Sequence, residues 1–162
     1  MPGQTSAPYL AARAVAPNDA RGARLERVGA QWQTMLREAL APLQLTTAQY
    51  RLLIAAAWLT AQRPDIRQSE IAAHANADPV MTSEVLRTLE RRGLLVRAPH
   101  PTDRRARSIV VTAEGGALVD RAARLVDATE ARFFETGMPE FGAVAKSLKK
   151  GGRGAEPKKA KR

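Results

Sequence analysis

DPVMTSEVLRTLERRGLLVRAPHPTDRRARSIVVT, residues 78–112, is the stretch whose reading decides the fold. It opens on Asp78-Pro79, and both residues suit a helix start, where backbone N–H groups lack partners and proline has none to leave unpaired. Val85, Leu86 and Leu89 then give a helix running to about Arg92 its buried face, and Gly93 supplies a left-handed cap. Leu94 to Ala98 and Ser108 to Val111 are rich in β-forming residues and bracket a polar loop, which predicts two strands joined by a basic wing. Upstream, Gln68 to Asn76 predicts a small helix with Ile71 and Ala72 turned inward. The short turn Ala75-Asn76-Ala77 forces the two helices to cross steeply. A helix–turn–helix running directly into a two-stranded wing is a compact unit for reading DNA.

Further out, Val28, Trp32, Met35, Leu36, Ala39, Leu40 and Leu43 recur at helical intervals from Leu25, with Pro42 closing or kinking the helix. Thr46 and Gln49 have the spacing of a capping box, opening a helix that carries Tyr50, Leu53, Ile54, Ala57 and Trp58. Arg63-Pro64-Asp65 predicts a turn. Thr112 caps a long helix with Leu118, Ala122, Leu125, Val126, Thr129 and Phe133 on one face, broken at Gly137-Pro139. Phe141, Val144, Ala145 and Leu148 predict a last short helix. The fold class is therefore mostly α with a small β wing, a winged helix-turn-helix. One small domain cannot cover the apolar stripes of the first and last helices, so the chain is expected to dimerise through its N- and C-terminal helices. Residues 1–20 read as a flexible arm, 21–148 as the regulator domain and 149–162 as a disordered basic tail without apolar residues to bury.

Of the 26 Lys and Arg, eight lie in Lys146–Arg162 with one of the 16 Asp and Glu, so a net +7 of the formal +10 belongs to the tail. Pro79 to Arg107 holds seven Arg against Glu84, Glu90 and Asp103, a net +4, the footprint expected of a nucleic-acid contact. Absence of cysteine removes disulfides, thiolate zinc sites and thiol redox sensing. Two histidines, His74 and His100, without cysteine make no metal site and read as satisfied surface residues. No nucleophile–base pair, glycine-rich phosphate loop or cofactor fingerprint is present, so neither an enzyme nor a cofactor is expected. Met1 to Asn18 does not read as a secretory signal, and no charge-free apolar window reaches the roughly 18 residues of a membrane span. A cytoplasmic protein working at the nucleoid is the simplest expectation.

The outward positions of the helix after Asp78 are expected to be Pro79, Met81, Thr82, Glu84 and Arg87. Pro79, Val80 and Met81 suit thymine methyls, Thr82 and Ser83 a base edge or phosphate, and Arg87 phosphate or guanine. In the loop, Arg104, Arg105 and Arg107 repel one another and stabilise no core, which fits insertion into a minor groove. Asp103 would be misplaced against phosphate and reads as an internal partner of Arg105 or Arg107 that holds the wing's shape.

These residues carry a family likeness. TSEVLRTLERRGLL at 82–95, PTDRRAR at 101–107 and VTAEG at 111–115 resemble the MarR family of bacterial transcriptional regulators, in that family's element order from about Leu25 to Phe134. The resemblance implies a homodimer on double-stranded DNA, with recognition helices in successive major grooves and wing arginines in flanking minor grooves. It implies that Asp103 and Arg105 form the wing's structural pair while Arg104 or Arg107 reaches DNA. It also implies a small aromatic or phenolic effector in a cleft. Trp32, Leu36, Tyr50, Leu53 and Trp58 are the pocket candidates, although such residues at helical spacing are more often plain core. The alternative function is a nonspecific architectural protein that binds nucleic acid through the basic tail.

Overall fold

The computed structural model describes residues 21–100 and 107–137. The predicted short helix at 141–148, the N-terminal arm, the tail and the wing tip at 101–106 lie outside the described residues. The described residues fall into two compact units that divide within the first helix, one ending at Met35 and the other beginning at Leu36. Helix α1 spans Arg21–Leu40, starting a turn earlier than the apolar stripe suggests, and passes into a 3-10 turn at Ala41–Leu43. Pro42 sits in the first turn of that 3-10 segment, so it closes the α-helix rather than kinking it.

In the second unit, Thr46 caps α2 (Thr47–Gln62) with both halves of the capping box made. Its Oγ1 accepts from the Gln49 amide at 3.1 Å and Gln49 Oε1 accepts from the Thr46 amide at 3.0 Å. Tyr50, Leu52, Leu53, Ala55 and Ala56 are buried along α2. Helix α2 packs against α3 (Gln68–His74), α4 (Pro79–Arg91) and α5 (Ala113–Gly137), where Ile71, Leu86, Leu89 and Ala122 are likewise buried. The two strands β1 (Leu95–Pro99) and β2 (Arg107–Val111) pair antiparallel with Leu95 opposite Val111 and Pro99 opposite Arg107. Leu95 and Ile109 turn into the core. The Ile109 amide donates to the Ile66 carbonyl at 2.8 Å, so the segment before α3 satisfies part of the outer edge of β2.

Two turns set the helix–turn–helix and wing angles. After α3, Asn76 takes φ +47° while the Ala77 amide donates to Ala72 O at 2.9 Å, a left-handed cap supplied by asparagine. After α4, Gly93 takes φ +72° and the Leu94 amide donates to Leu89 O at 3.0 Å. Thr112 then ties this corner to α5. Its Oγ1 donates to the Gly93 carbonyl at 2.7 Å and accepts from the Gly115 amide at 3.0 Å. Helix α5 passes so close that a Cβ on Gly115 would overlap the Leu94 carbonyl oxygen, which explains glycine in VTAEG.

Candidate nucleic-acid interface

Helix α4 starts where Asp78 Oδ1 accepts from the Met81 amide at 2.9 Å, with Pro79 at its first position. Its buried row is Thr82, Leu86 and Leu89, spaced at i, i+4 and i+7. Thr82 is 0% exposed and its Oγ1 has no hydrogen-bond partner among the described residues. The expectation that Thr82 faces DNA is therefore corrected: at 100° per residue it shares the core side with Leu86 and Leu89, and Val85 is only half-buried at the edge. Counting one turn back from Leu86 reaches Thr82, but its hydroxyl suits an outward position equally well. Pro79, Val80, Glu84, Arg87 and Arg91 are exposed, and Val80 is open at 70%. Met81 and Ser83 are half-buried on the flanks.

The arginines divide by task. Arg92, at the end of α4, donates to the Gln44 carbonyl at 2.8 Å and the Leu43 carbonyl at 3.4 Å, tying α4 to the 3-10 turn after α1. Arg97 lies 3.6 Å from Glu90 and donates to Gln68 Oε1 at 3.5 Å. Both belong to the basic footprint expected from the sequence, yet their charges are engaged within the protein. Arg87, Arg91 and Arg107 are exposed. Arg107 opens β2 opposite Pro99, whereas Asp103, Arg104 and Arg105 lie outside the described residues.

His100, at the root of the wing, is only 7% exposed, which corrects its reading as a surface residue. The Arg67 guanidinium donates to its Nε2 at 3.4 Å, joining the wing's base to the segment before α3. That segment is braced by Arg63, which bonds Asp65 at 2.8 Å and also pairs with Glu70. The hydrogen bond from Arg63 holds the Asp65 carboxyl below the usual range.

Of the pocket candidates, Leu36, Tyr50 and Leu53 are core, because their faces of α1 and α2 are buried. Burial, with the Asp127 and Glu130 carboxylates adding to it, pushes the Tyr50 phenol above its ordinary value. Trp32 belongs to the first unit, where it is half-buried. Trp58 alone of the five lines a cleft of about 390 Å³, together with Arg51, Ile54, Ala55, His74 and Ala75. It is 54% exposed and stacks on His74 with ring centroids 4.8 Å apart. Arg51 donates to the Ala75 carbonyl at 2.6 Å, which fixes its guanidinium at the cleft's rim.

The family model described as "MarR family" matches residues 45–106. The HTH-type transcriptional regulator YdcH of Bacillus subtilis is 32% identical over 122 residues, spanning 75% of this chain and 83% of that protein. The chain belongs to the MarR family. Another relative is the HTH-type transcriptional repressor Rv2887 of Mycobacterium tuberculosis, 35% identical over 111 residues, 68% of this chain and 77% of that one. Its salicylic acid complex superposes with TM-score 0.61 at 31% identity, covering 84% of this chain and 98% of the other. CouR of Rhodococcus jostii bound to p-coumaroyl-CoA gives TM-score 0.68 at 34% identity, covering 82% and 89%. CouR on a 23-mer DNA duplex gives 0.68 at 32%, covering 80% and 90%. As a MarR-family winged helix-turn-helix, the chain is a DNA-binding transcription regulator, and among its described residues no helix is long and apolar enough to cross a membrane.

Proposed function

We propose that the chain is a sequence-specific repressor that binds a pseudopalindromic operator as a homodimer. Helix α4 enters a major groove in each half-site, with Pro79, Val80, Met81, Ser83 and Arg87 toward the bases and phosphates. Arg104, Arg105 and Arg107 approach the flanking minor groove, with Asp103 holding the wing's shape. The observation that carries this reading is the exposed outer row of α4, opposite a buried row that fixes the helix's rotation. CouR on duplex DNA supports the docking mode. The exposed Leu25 and Leu125, on the first and last described helices, support dimerisation through the terminal helices.

The same reading assigns the Arg51–Trp58–His74 cleft to a small aromatic anion that lowers operator affinity, with stacking surfaces for a ring and a guanidinium for a carboxylate. Complexes of Rv2887 with salicylic acid and of CouR with p-coumaroyl-CoA support that class of effector. The test is selection of binding sites from random duplex DNA by the purified full chain. A repressor of this kind selects a symmetric site whose half-site centres lie about one helical turn, roughly 10 bp, apart. Recovery of unrelated sequences would instead favour the architectural reading built on the basic tail.

A further inference from the structure

We infer that Glu84 reads a base and selects cytosine in each half-site, an inference resting on the assignment of α4 as the recognition helix. Val80, Glu84 and Arg87 follow one another at four and three residues, all exposed, on the side of α4 opposite buried Thr82, Leu86 and Leu89. Glu84 is the single acid in that outer row. The ion pairs seen among the described residues are Arg63–Asp65, Arg63–Glu70 and Arg97–Glu90, and Glu84 is in none of them. Arg91, next in the row, turns back to donate to Thr88 Oγ1 at 2.9 Å.

A carboxylate on this surface is repelled by every phosphate, so it favours binding only where a base offers it a proton. In the major groove guanine shows acceptors, thymine an acceptor and a methyl, and adenine places the N7 acceptor beside its N6 amino group. Cytosine shows its N4 amino donor without a neighbouring acceptor of its own, and so suits an acceptor-only side chain. Val80 lies about 6 Å toward the N-terminus along the axis and Arg87 about 4.5 Å toward the C-terminus, each one to two base steps away. The row thus presents an apolar group for a thymine methyl, an acceptor for cytosine N4, and donors for guanine O6 and N7 or a phosphate.

The test repeats the site selection with the wild type, Glu84→Gln and Glu84→Ala. Glu84 is exposed, and among the described residues its side chain makes no ion pair or hydrogen bond, so circular dichroism should be the same for all three. The wild type should show cytosine in one column of each half-site, favoured by about tenfold or more over the other bases. In Glu84→Gln that column should shift toward adenine, since an amide can both accept from N6 and donate to N7. In Glu84→Ala it should flatten while the other columns persist. A symmetric wild-type consensus that both variants reproduce unchanged, or that holds no cytosine column, overturns the inference and leaves the recognition-helix assignment standing. A wild type that selects no symmetric site overturns that assignment and the inference with it.

Discussion

Replacing Thr82 with valine should make the protein more stable. The side chain is fully buried on α4 and its hydroxyl finds no partner among the described residues. A buried hydroxyl left unpaired costs about 1–3 kcal/mol, and valine has nearly the same shape and a similar helix propensity. The added apolar carbon is worth at most about 0.8 kcal/mol when buried. Taking the low end of the penalty, Thr82→Val should gain about 1 kcal/mol, a rise of about 4 °C in Tm for a domain of this size. Thr82→Ser should move the other way by about 1 kcal/mol, because it retains the orphaned hydroxyl and deletes a packed methyl. Urea unfolding at one fixed protein concentration measures both, and neither variant should alter which bases the protein prefers. If Thr82→Val unfolds earlier than the wild type, the hydroxyl has a partner and the argument fails. A changed base preference would return Thr82 to the DNA-facing side.

Changing Arg104, Arg105 and Arg107 together to Ala should weaken operator binding and reduce the log–log salt slope by about 0.9 for each phosphate that is no longer neutralised; an unaltered slope removes the wing from the interface. Gly115→Ala should cost upwards of about 2 kcal/mol in thermal or urea unfolding, since the new methyl displaces α5 from the Leu94 carbonyl, and a neutral result would show that α5 shifts freely. Because burial raises the Tyr50 phenol above 10.0, its stabilising contribution should be complete below pH 10 and fade as pH rises through the higher folded-state value. Absorbance at 295 nm should show a late tyrosinate step that Tyr50→Phe deletes, and ionisation of Tyr50 at or below pH 10 would contradict its burial. Salicylate should lower operator affinity in the wild type and have less effect on Trp58→Ala or Arg51→Gln, as followed by fluorescence anisotropy of labelled DNA; equal responses would clear the cleft of an effector role.

Local chemistry made most elements readable. The Thr46–Gln49 box, Asp78-Pro79, Gly93 and Thr112 each satisfy backbone groups through bonds spanning a few residues, and each stands where its spacing placed it. Rotation of α4 was less legible, because a threonine one turn before Leu86 can be solvated or buried and only packing decides. Long-range partners were not legible at all. Arg92 meets carbonyls nearly fifty residues away, and His100 meets Arg67 across 33. No pattern along the chain announces such pairings. Tyr50 and Leu53 are equally suited to a pocket or a core until the faces of α2 are fixed, while Trp58, eight residues past Tyr50, falls on the open side.

Equilibrium binding of the full chain to a labelled symmetric operator, with an isolated half-site and random duplex as competitors at one salt concentration, tests the central claim most directly. A dimeric regulator should prefer the intact operator over random duplex by about 10³ or more, and the half-site should compete far less well than the whole. Equal competition by all three DNAs would contradict the account.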